Sequence, residues 1–262
     1  MQIHVNGVLI NYELEGSDDA PCVTFSHSLA CDLTMWEDQA AFLRERYRVL
    51  RYDVRGHGGS EATEGAYNFD MLIDDAVGLW DSLGIKKSHW IGLSLGAMIG
   101  YGLALKHPDR LVTMIACDGR ADAPPTYADY FGERIRITRE QGMKGLVEST
   151  VTRWFTDKSI TEKLPVIDKM RNMILHTNPL GHIGCCEAIR ILAYGGRLGG
   201  IKVPTLVVGG AEDVGAPPEV LREIHKAIPG SEQAVIPEAG HISNVENPSV
   251  FNTAIGEFLA RH

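Results

Sequence analysis

Short apolar runs rich in β-branched residues alternate with helical segments along most of the chain, and this alternation restricts the fold more than any other feature. The run SHWIGLS at 88–94 leads into the helical stretch LGAMIGYGLALK at 95–106, and LVTMIACDG at 111–119 resumes the strand pattern. Strands that alternate with helices form a mostly parallel sheet with helices on both faces. The sequence therefore predicts an α/β fold.

Eight runs have the character of strands. The first two flank Asn6-Gly7, the strongest short signal for a hairpin, so we expect an antiparallel edge at the start of the sheet. Asn68 is predicted to cap a long amphipathic helix that follows it. The other six strands are predicted in the segments PCVTFSH, YRVLRYD, SHWIGLS, LVTMIACDG, VPTLVVGG and SEQAVIPEAG.

The alternation stops between residues 121 and 198, where helical patterns follow one another without a clear strand. We expect this segment to be a helical cap inserted in a core made of residues 1–120 and 199–262. A chain of 262 residues is long enough to bury one large core of this kind.

Charge and composition exclude several classes of function. The net charge is −9 and no basic run is present, which argues against binding to nucleic acid or to an anionic membrane surface. The start of the chain does not resemble a signal peptide, and the apolar run 90–105 is too short to span a bilayer, so we expect a cytoplasmic protein. The five cysteines lack zinc spacing, and we expect reduced, mostly buried thiols and no metal.

Gly92-Leu93-Ser94-Leu95-Gly96 matches the pattern G-x-S-x-G between a predicted strand and a predicted helix. A serine on such a sharp turn has a strained backbone, and glycines two residues before and after it avoid steric clashes. Its hydroxyl would point out of the carboxyl end of the sheet, which makes Ser94 a candidate nucleophile. The alternative interpretation is a small residue in a tight turn.

A serine nucleophile needs a base, and the base needs an orienting acid. Asp213 follows the predicted strand VPTLVVGG, and His241 follows the last predicted strand, which is the chain order expected for this architecture. Alternatively, Asp213 is a turn residue with Glu212 as its rival, and His241 caps loop backbone. The agreement in order and position favours a Ser94–His241–Asp213 triad.

The reaction also needs two backbone N–H groups that stabilise the negative oxygen of the intermediate. One is expected to be Leu95, the residue after the nucleophile, and the other lies in the loop after the strand PCVTFSH. Leu29 is the preferred second donor, with Ser28 as the alternative.

Taken together, the segments FSHSL, RYDVRGHGGS, GLSLG, GGAEDVGAPP and AGHISNVENP resemble the α/β-hydrolase family over essentially the whole chain. SHSLACDLTMW, RWFTDK and GHIGCCEAIR are most similar to 3-oxoadipate enol-lactonases. The resemblance implies the α/β-hydrolase fold and a serine hydrolase without cofactor that opens a lactone bearing carboxylates. Three segments depart from it: Ser28 replaces a glycine, GLSLGA replaces GLSMGG, and CDGRAD replaces a stretch richer in Asn and Thr.

Four residues are candidates for contact with the substrate. Arg120 and Arg153 are cations that would bind a carboxylate, whereas Trp154 and Trp36 would line the pocket or its entry. The alternatives are a solvated or ion-paired arginine and ordinary core packing for the tryptophans. The RGHGGS segment lacks the spacing of a phosphate loop and is interpreted as a structural turn.

The sequence therefore predicts a carboxylic ester hydrolase that acts on a small-molecule ester or lactone. The sequence does not determine the oligomeric state, and a homo-oligomer is one alternative. Two alternatives share the fold: a cofactor-free haloperoxidase-like esterase that forms peracids, and a non-catalytic ligand receptor.

Overall fold

Eight strands form a single sheet in the computed structural model, which describes residues 1–262. In chain order they are β1 (Gln2–Val5), β2 (Val8–Glu15), β3 (Cys22–Ser26), β4 (Arg48–Tyr52), β5 (Ser88–Leu93), β6 (Leu111–Cys117), β7 (Thr205–Gly210) and β8 (Glu232–Ile236). Their order across the sheet is β1-β2-β4-β3-β5-β6-β7-β8. The pairs β1–β2 and β2–β4 are antiparallel, and all the others are parallel. The predicted α/β fold with an antiparallel edge is confirmed.

Eleven α-helices connect or cover the strands. They are α1 (Glu37–Leu43), α2 (Phe69–Ser82), α3 (Leu95–Lys106), α4 (Tyr127–Gln141), α5 (Val147–Trp154), α6 (Asp157–Thr161), α7 (Pro165–His176), α8 (Pro179–Arg190), α9 (Pro218–Ala227), α10 (Ser243–Glu246) and α11 (Pro248–Leu259). The Asn68 side chain accepts a hydrogen bond from the Met71 N–H, as predicted for the N-cap of α2. No helix combines the length and the apolar character that crossing a bilayer requires.

The central strands of the sheet lie in the middle of the core. Every residue of β3, β5 and β7 is buried, which explains why these segments read as continuous apolar runs. Burial on both faces requires helices on both sides of the sheet. α2 packs against α3 and α1 packs against α11, whereas the edge strand β8 is partly exposed.

Helices α4 to α8, called the cap helices below, lie between β6 and β7 in the chain. The two ends of this segment are hydrogen-bonded to each other. The Ala123 N–H donates to the Leu192 carbonyl at 2.9 Å, and the Tyr194 N–H donates to the Ala121 carbonyl at 2.8 Å. The chain therefore leaves the sheet and rejoins it at one place, next to the end of β6.

Candidate active site

Ser94 occupies the sharp turn between β5 and α3, with a φ of 54° and a ψ of −106°. A Cβ at position 92 would lie 2.2 Å from the Gly96 carbonyl oxygen, and a Cβ at position 96 would lie 2.1 Å from the Ser26 carbonyl oxygen. Backbone occupies the space at both positions, so only glycine fits. The turn thus explains the G-x-S-x-G spacing and holds Ser94 at the carboxyl end of β5.

Ser94, His241 and Asp213 are hydrogen-bonded in series. His241 Nε2 lies 2.9 Å from Ser94 Oγ, and His241 Nδ1 lies 2.9 Å from Asp213 Oδ2. Asp213 follows β7 and His241 follows β8, so the structure brings together the three residues that the sequence singled out. All three are buried. Because a carboxylate can only accept at Nδ1, that nitrogen carries the proton and Nε2 is free to accept the Ser94 hydroxyl.

The charges of Asp213 and His241 support each other. Burial raises the pKa of Asp213, but the charge of His241 and the N–H donors of Gly215 and Ala216 outweigh burial and leave that pKa lowered. Burial lowers the pKa of His241, yet the Asp213 carboxylate leaves it above its ordinary value. The carboxylate therefore favours the imidazolium form that appears when His241 takes a proton.

Two backbone donors near Ser94 have no acceptor within the protein. They are the N–H groups of Leu29, after β3, and of Leu95, at the start of α3. The Ser28 N–H instead points to Met35 Sδ at 3.4 Å, which makes Leu29 the better candidate. The His27 ring donates from Nδ1 to the Ser28 carbonyl at 2.7 Å. Its Nε2 accepts a hydrogen bond at 2.9 Å from the backbone N–H of Val54, just after β4. This histidine therefore shapes the loop.

The segment DVRGHGGS, which directly follows β4, holds the residues after β3 in place. Asp53 accepts hydrogen bonds from the N–H groups of Leu33 at 2.7 Å and Gly59 at 2.8 Å. Arg55 forms a buried bidentate pair with Asp75, with both contacts at 2.7 Å. These contacts are those of a structural turn, which agrees with the interpretation of the motif.

A cavity opens beside Ser94 and His241, between the sheet and the cap helices. Arg120, Arg153 and Trp154, three of the four substrate-binding candidates, are among its lining residues. Ser28 and Leu29 reach it from the loop after β3. The other apolar and aromatic lining residues are Met98, Tyr127, Tyr130, Phe131, Ile189 and Ala216.

Trp36, the fourth candidate, does not line this cavity. Its ring is completely buried, 4.8 Å from the Phe25 ring and 6.2 Å from the Phe251 ring. The expectation that Trp36 lines the entry is therefore corrected: the large apolar ring packs in the core between β3 and α11.

Three arginines line the cavity without a carboxylate within 4.0 Å, namely Arg120, Arg134 and Arg153. Arg120 donates to the Gly215 carbonyl at 2.7 Å, and Arg134 donates to Thr150 Oγ1 at 3.0 Å. The guanidinium of Arg153 lies 4.8 Å from the centre of the Tyr130 ring. Each guanidinium has five N–H donors, so all three retain donors for a ligand.

Two charged residues of the cavity wall were not predicted from the sequence. Arg134 lies on the same face of α4 as Tyr127 and Phe131. A cation at an apolar helical spacing is the sequence pattern that would have indicated it. Asp118 follows β6 directly, at the same edge of the sheet as Asp213. Its position directly after a predicted strand would have indicated it. It lies in the segment CDGRAD, which departs from the enol-lactonase pattern.

The side chains that could bind a metal ion are dispersed. No group of three or more His, Cys, Asp or Glu residues is arranged to hold one. All five cysteines are buried and free, including the neighbours Cys185 and Cys186.

A family model described as the alpha/beta hydrolase fold matches residues 21–248. The chain belongs to the α/β-hydrolase family. A 3-oxoadipate enol-lactonase of Acinetobacter baylyi is 34% identical over 97% of this chain and 94% of its own length. The family assignment and this enol-lactonase relative show that the chain is an enzyme, a hydrolase.

Solved structures of the family have nearly the same backbone. An enol-lactonase from Burkholderia xenovorans LB400 is 36% identical with a TM-score of 0.96, over 99% of this chain and 100% of its own. A thermophilic esterase from Thermogutta terrifontis, solved with malate bound, is 29% identical with a TM-score of 0.95, over 100% of this chain and 98% of its own.

Proposed function

We propose that this α/β-hydrolase cleaves a carboxylic ester or lactone through an acyl-enzyme on Ser94. The observation that carries the proposal is the hydrogen-bonded series Ser94–His241–Asp213. Ser94 Oγ attacks the carbonyl carbon while His241 Nε2 takes the hydroxyl proton, and His241 then donates that proton to the leaving alkoxide. Asp213 holds the Nδ1–H and stabilises the imidazolium. Water activated by His241 then releases the acid.

The N–H groups of Leu29 and Leu95 are the proposed donors to the oxyanion. Both lack an acceptor within the protein, and one of them directly follows the nucleophile. A preorganised donor of this kind lowers the barrier by about 3 kcal/mol. The His27 ring supports this role because it orients the preceding carbonyl group of the loop.

Residues 121–198 are proposed to be a cap domain inserted in a core of residues 1–120 and 199–262. The paired ends of the segment support this division, because an insertion leaves and rejoins its core at one place. The cap supplies Tyr130, Arg134 and Trp154 to the cavity wall. Such a cover excludes bulk water while the acyl-enzyme forms.

The substrate is proposed to carry at least one free carboxylate. Three guanidiniums without an acidic partner face the cavity in a chain whose net charge is −9. Arginine binds carboxylates through two parallel hydrogen bonds. The enol-lactonases among the relatives support a carboxylated lactone, and the esterase from Thermogutta terrifontis that was solved with malate bound supports an anionic ligand.

Turnover of a matched substrate panel tests the proposal. The panel pairs lactones and short-chain aryl esters with and without a carboxylate, and it is assayed with wild type and Ser94→Ala. We expect hydrolysis by wild type, a preference for the anionic member of each pair, and loss of at least about 1,000-fold in Ser94→Ala. Near-normal turnover of p-nitrophenyl acetate by Ser94→Ala contradicts the mechanism.

The same assays separate the alternatives. Peracid formation that exceeds hydrolysis on one acetate donor with peroxide favours a perhydrolase. Rapid labelling of Ser94 by a fluorophosphonate together with turnover of any ester argues against a non-catalytic receptor, which would bind a ligand without releasing product.

A further inference from the structure

Asp118 is a fully buried acid in the active-site cavity that the proposed mechanism does not use. It follows β6 with a φ of 50°. Its Oδ1 accepts a hydrogen bond from the Gly210 N–H at 2.8 Å, and its Oδ2 accepts one from the Ser243 hydroxyl at 2.6 Å. No lysine or arginine lies within 4.0 Å of it. A buried carboxyl without a cation is costly, so its place needs an explanation.

The two partners of Asp118 flank the proposed acid and the proposed base. Gly210 ends β7, and the chain reaches Asp213 three residues later. Ser243 begins α10, two residues after His241. One carboxyl group therefore ties together the loops that carry Asp213 and His241.

We infer that Asp118 is a positioning residue: it holds the acid and base loops in register, and when ionised it adds a second negative charge that favours the imidazolium form of His241. The inference rests on the proposed function, because it requires His241 to act as a base. In its neutral form the carboxyl keeps both contacts, since it can accept from Gly210 and exchange donor roles with the Ser243 hydroxyl.

The electrostatics agree with this geometry. Burial, and secondly the charge of Asp213, raise the pKa of Asp118 to about 8. The charge of Asp118 in turn raises the pKa of His241. Asp118 is therefore mostly neutral at pH 7 and becomes ionised above pH 8, where its charge makes His241 a stronger base.

Titratable groups face Asp118 from four elements, and two of them stay neutral in this range. Burial raises the pKa of the Tyr101 hydroxyl on α3 and that of the Cys117 thiol at the end of β6. The remaining groups are Asp213 and His241. Arg120 lies two residues after Asp118 and bonds the Gly215 carbonyl instead.

The rate of Ser94 labelling by a fluorophosphonate, measured between pH 6.5 and 9.5, tests the inference with Asp118→Asn and Asp118→Ala. Asparagine keeps an acceptor for Gly210 and a donor for Ser243 but carries no charge. We expect Asp118→Asn to match wild type near pH 6.5 and to fall about tenfold behind it at pH 9.5, because only wild type then carries the negative charge that makes His241 a stronger base. Asp118→Ala should be slower at every pH.

Asp122→Asn is the matched control. Its carboxylate also accepts from a backbone N–H, that of Gly195, but it does not line the cavity, so its pH profile should follow wild type. A constant rate ratio between wild type and Asp118→Asn at all pH values overturns the electrostatic role. Wild-type rates in Asp118→Ala overturn the positioning role. Failure of wild type to label at Ser94 contradicts the proposed function instead.

Discussion

The backbone N–H of His241 donates a 2.8 Å hydrogen bond to the carbonyl oxygen of Trp154, the last residue of cap helix α5. A second contact reinforces this one. Glu246 accepts from the Thr156 N–H at 2.9 Å and from the Gly240 N–H at 2.7 Å, so its carboxylate joins the cap to the loop of the proposed base. The position of the imidazole therefore depends on the cap as well as on the sheet.

Gly240→Ala is expected to displace the proposed base. The added Cβ would lie 2.5 Å from the Trp154 carbonyl oxygen, so the loop or α5 must move. A shift of about 1 Å in a reacting group lowers catalysis by roughly 100-fold, and we expect a loss of that size in kcat/KM on an aryl ester. Gly196→Ala is the control, because a Cβ at that position meets nothing within 4 Å. Equal activities of the two variants would contradict the prediction.

Asp213→Asn should lower kcat by about 1,000- to 10,000-fold, because the amide no longer holds the productive tautomer of His241. Asp213 also raises the pKa of His241, so the acid limb of the pH–kcat profile should move to lower pH in the variant. Glu212→Gln is the neighbouring control and should retain wild-type activity. The reverse result, with an inactive Glu212→Gln, would assign the acid to Glu212.

The arginines of the cavity should determine selectivity for carboxylated substrates. Arg134→Met keeps the apolar stem but removes the guanidinium, and we expect kcat/KM to fall about 10- to 100-fold for anionic substrates and less than threefold for neutral ones. Arg136→Met lies on the same helix, where Arg136 is exposed and paired with Glu133 and Glu140, and it should have no effect. Equal losses on both substrate classes would remove Arg134 from carboxylate binding.

Ser28→Ala should increase stability slightly. The Ser28 hydroxyl is buried and has no hydrogen-bond partner within the protein, so removing it should raise the free energy of unfolding by about 1 kcal/mol. Ser26→Ala is the comparison: it leaves the buried Tyr52 hydroxyl without its partner at 3.2 Å and should cost about 1–3 kcal/mol. Urea denaturation of both variants measures the two changes, and a destabilised Ser28→Ala would reveal a partner for its hydroxyl.

His57 should make the protein less stable in mild acid. Burial lowers its pKa to about 3, whereas the unfolded chain binds the proton near pH 6.5. Between these values only the unfolded state is protonated at this site, so stability falls as the pH falls, by up to about 1.4 kcal/mol per pH unit. Urea unfolding from pH 7 to 5 should show a shallower dependence in His57→Gln. Parallel curves would show that His57 titrates normally in the native state.

Much of the fold and of the site could be predicted because the signals are local. The Asn6-Gly7 turn, the Asn68 cap and the buried strands each follow from a few neighbouring residues. Ser94, Asp213 and His241 were each expected after a strand, and parallel strands bring their carboxyl ends to one edge of the sheet. Order along the chain was therefore enough to expect that the three side chains meet.

The orientation of side chains within the connecting segments was decided only by the tertiary structure. Trp36 looked like part of the entry to the pocket, but the large ring packs between Phe25 and Phe251 because burial of its apolar surface is favourable there. The tertiary packing of α4 decides which of its faces turns toward the sheet. Arg134 reaches the cavity because it lies on that face. The contacts of Asp118 join the end of β6 to Gly210 of β7 and to Ser243 of α10, each more than 90 residues later in the chain. No local pattern specifies these contacts.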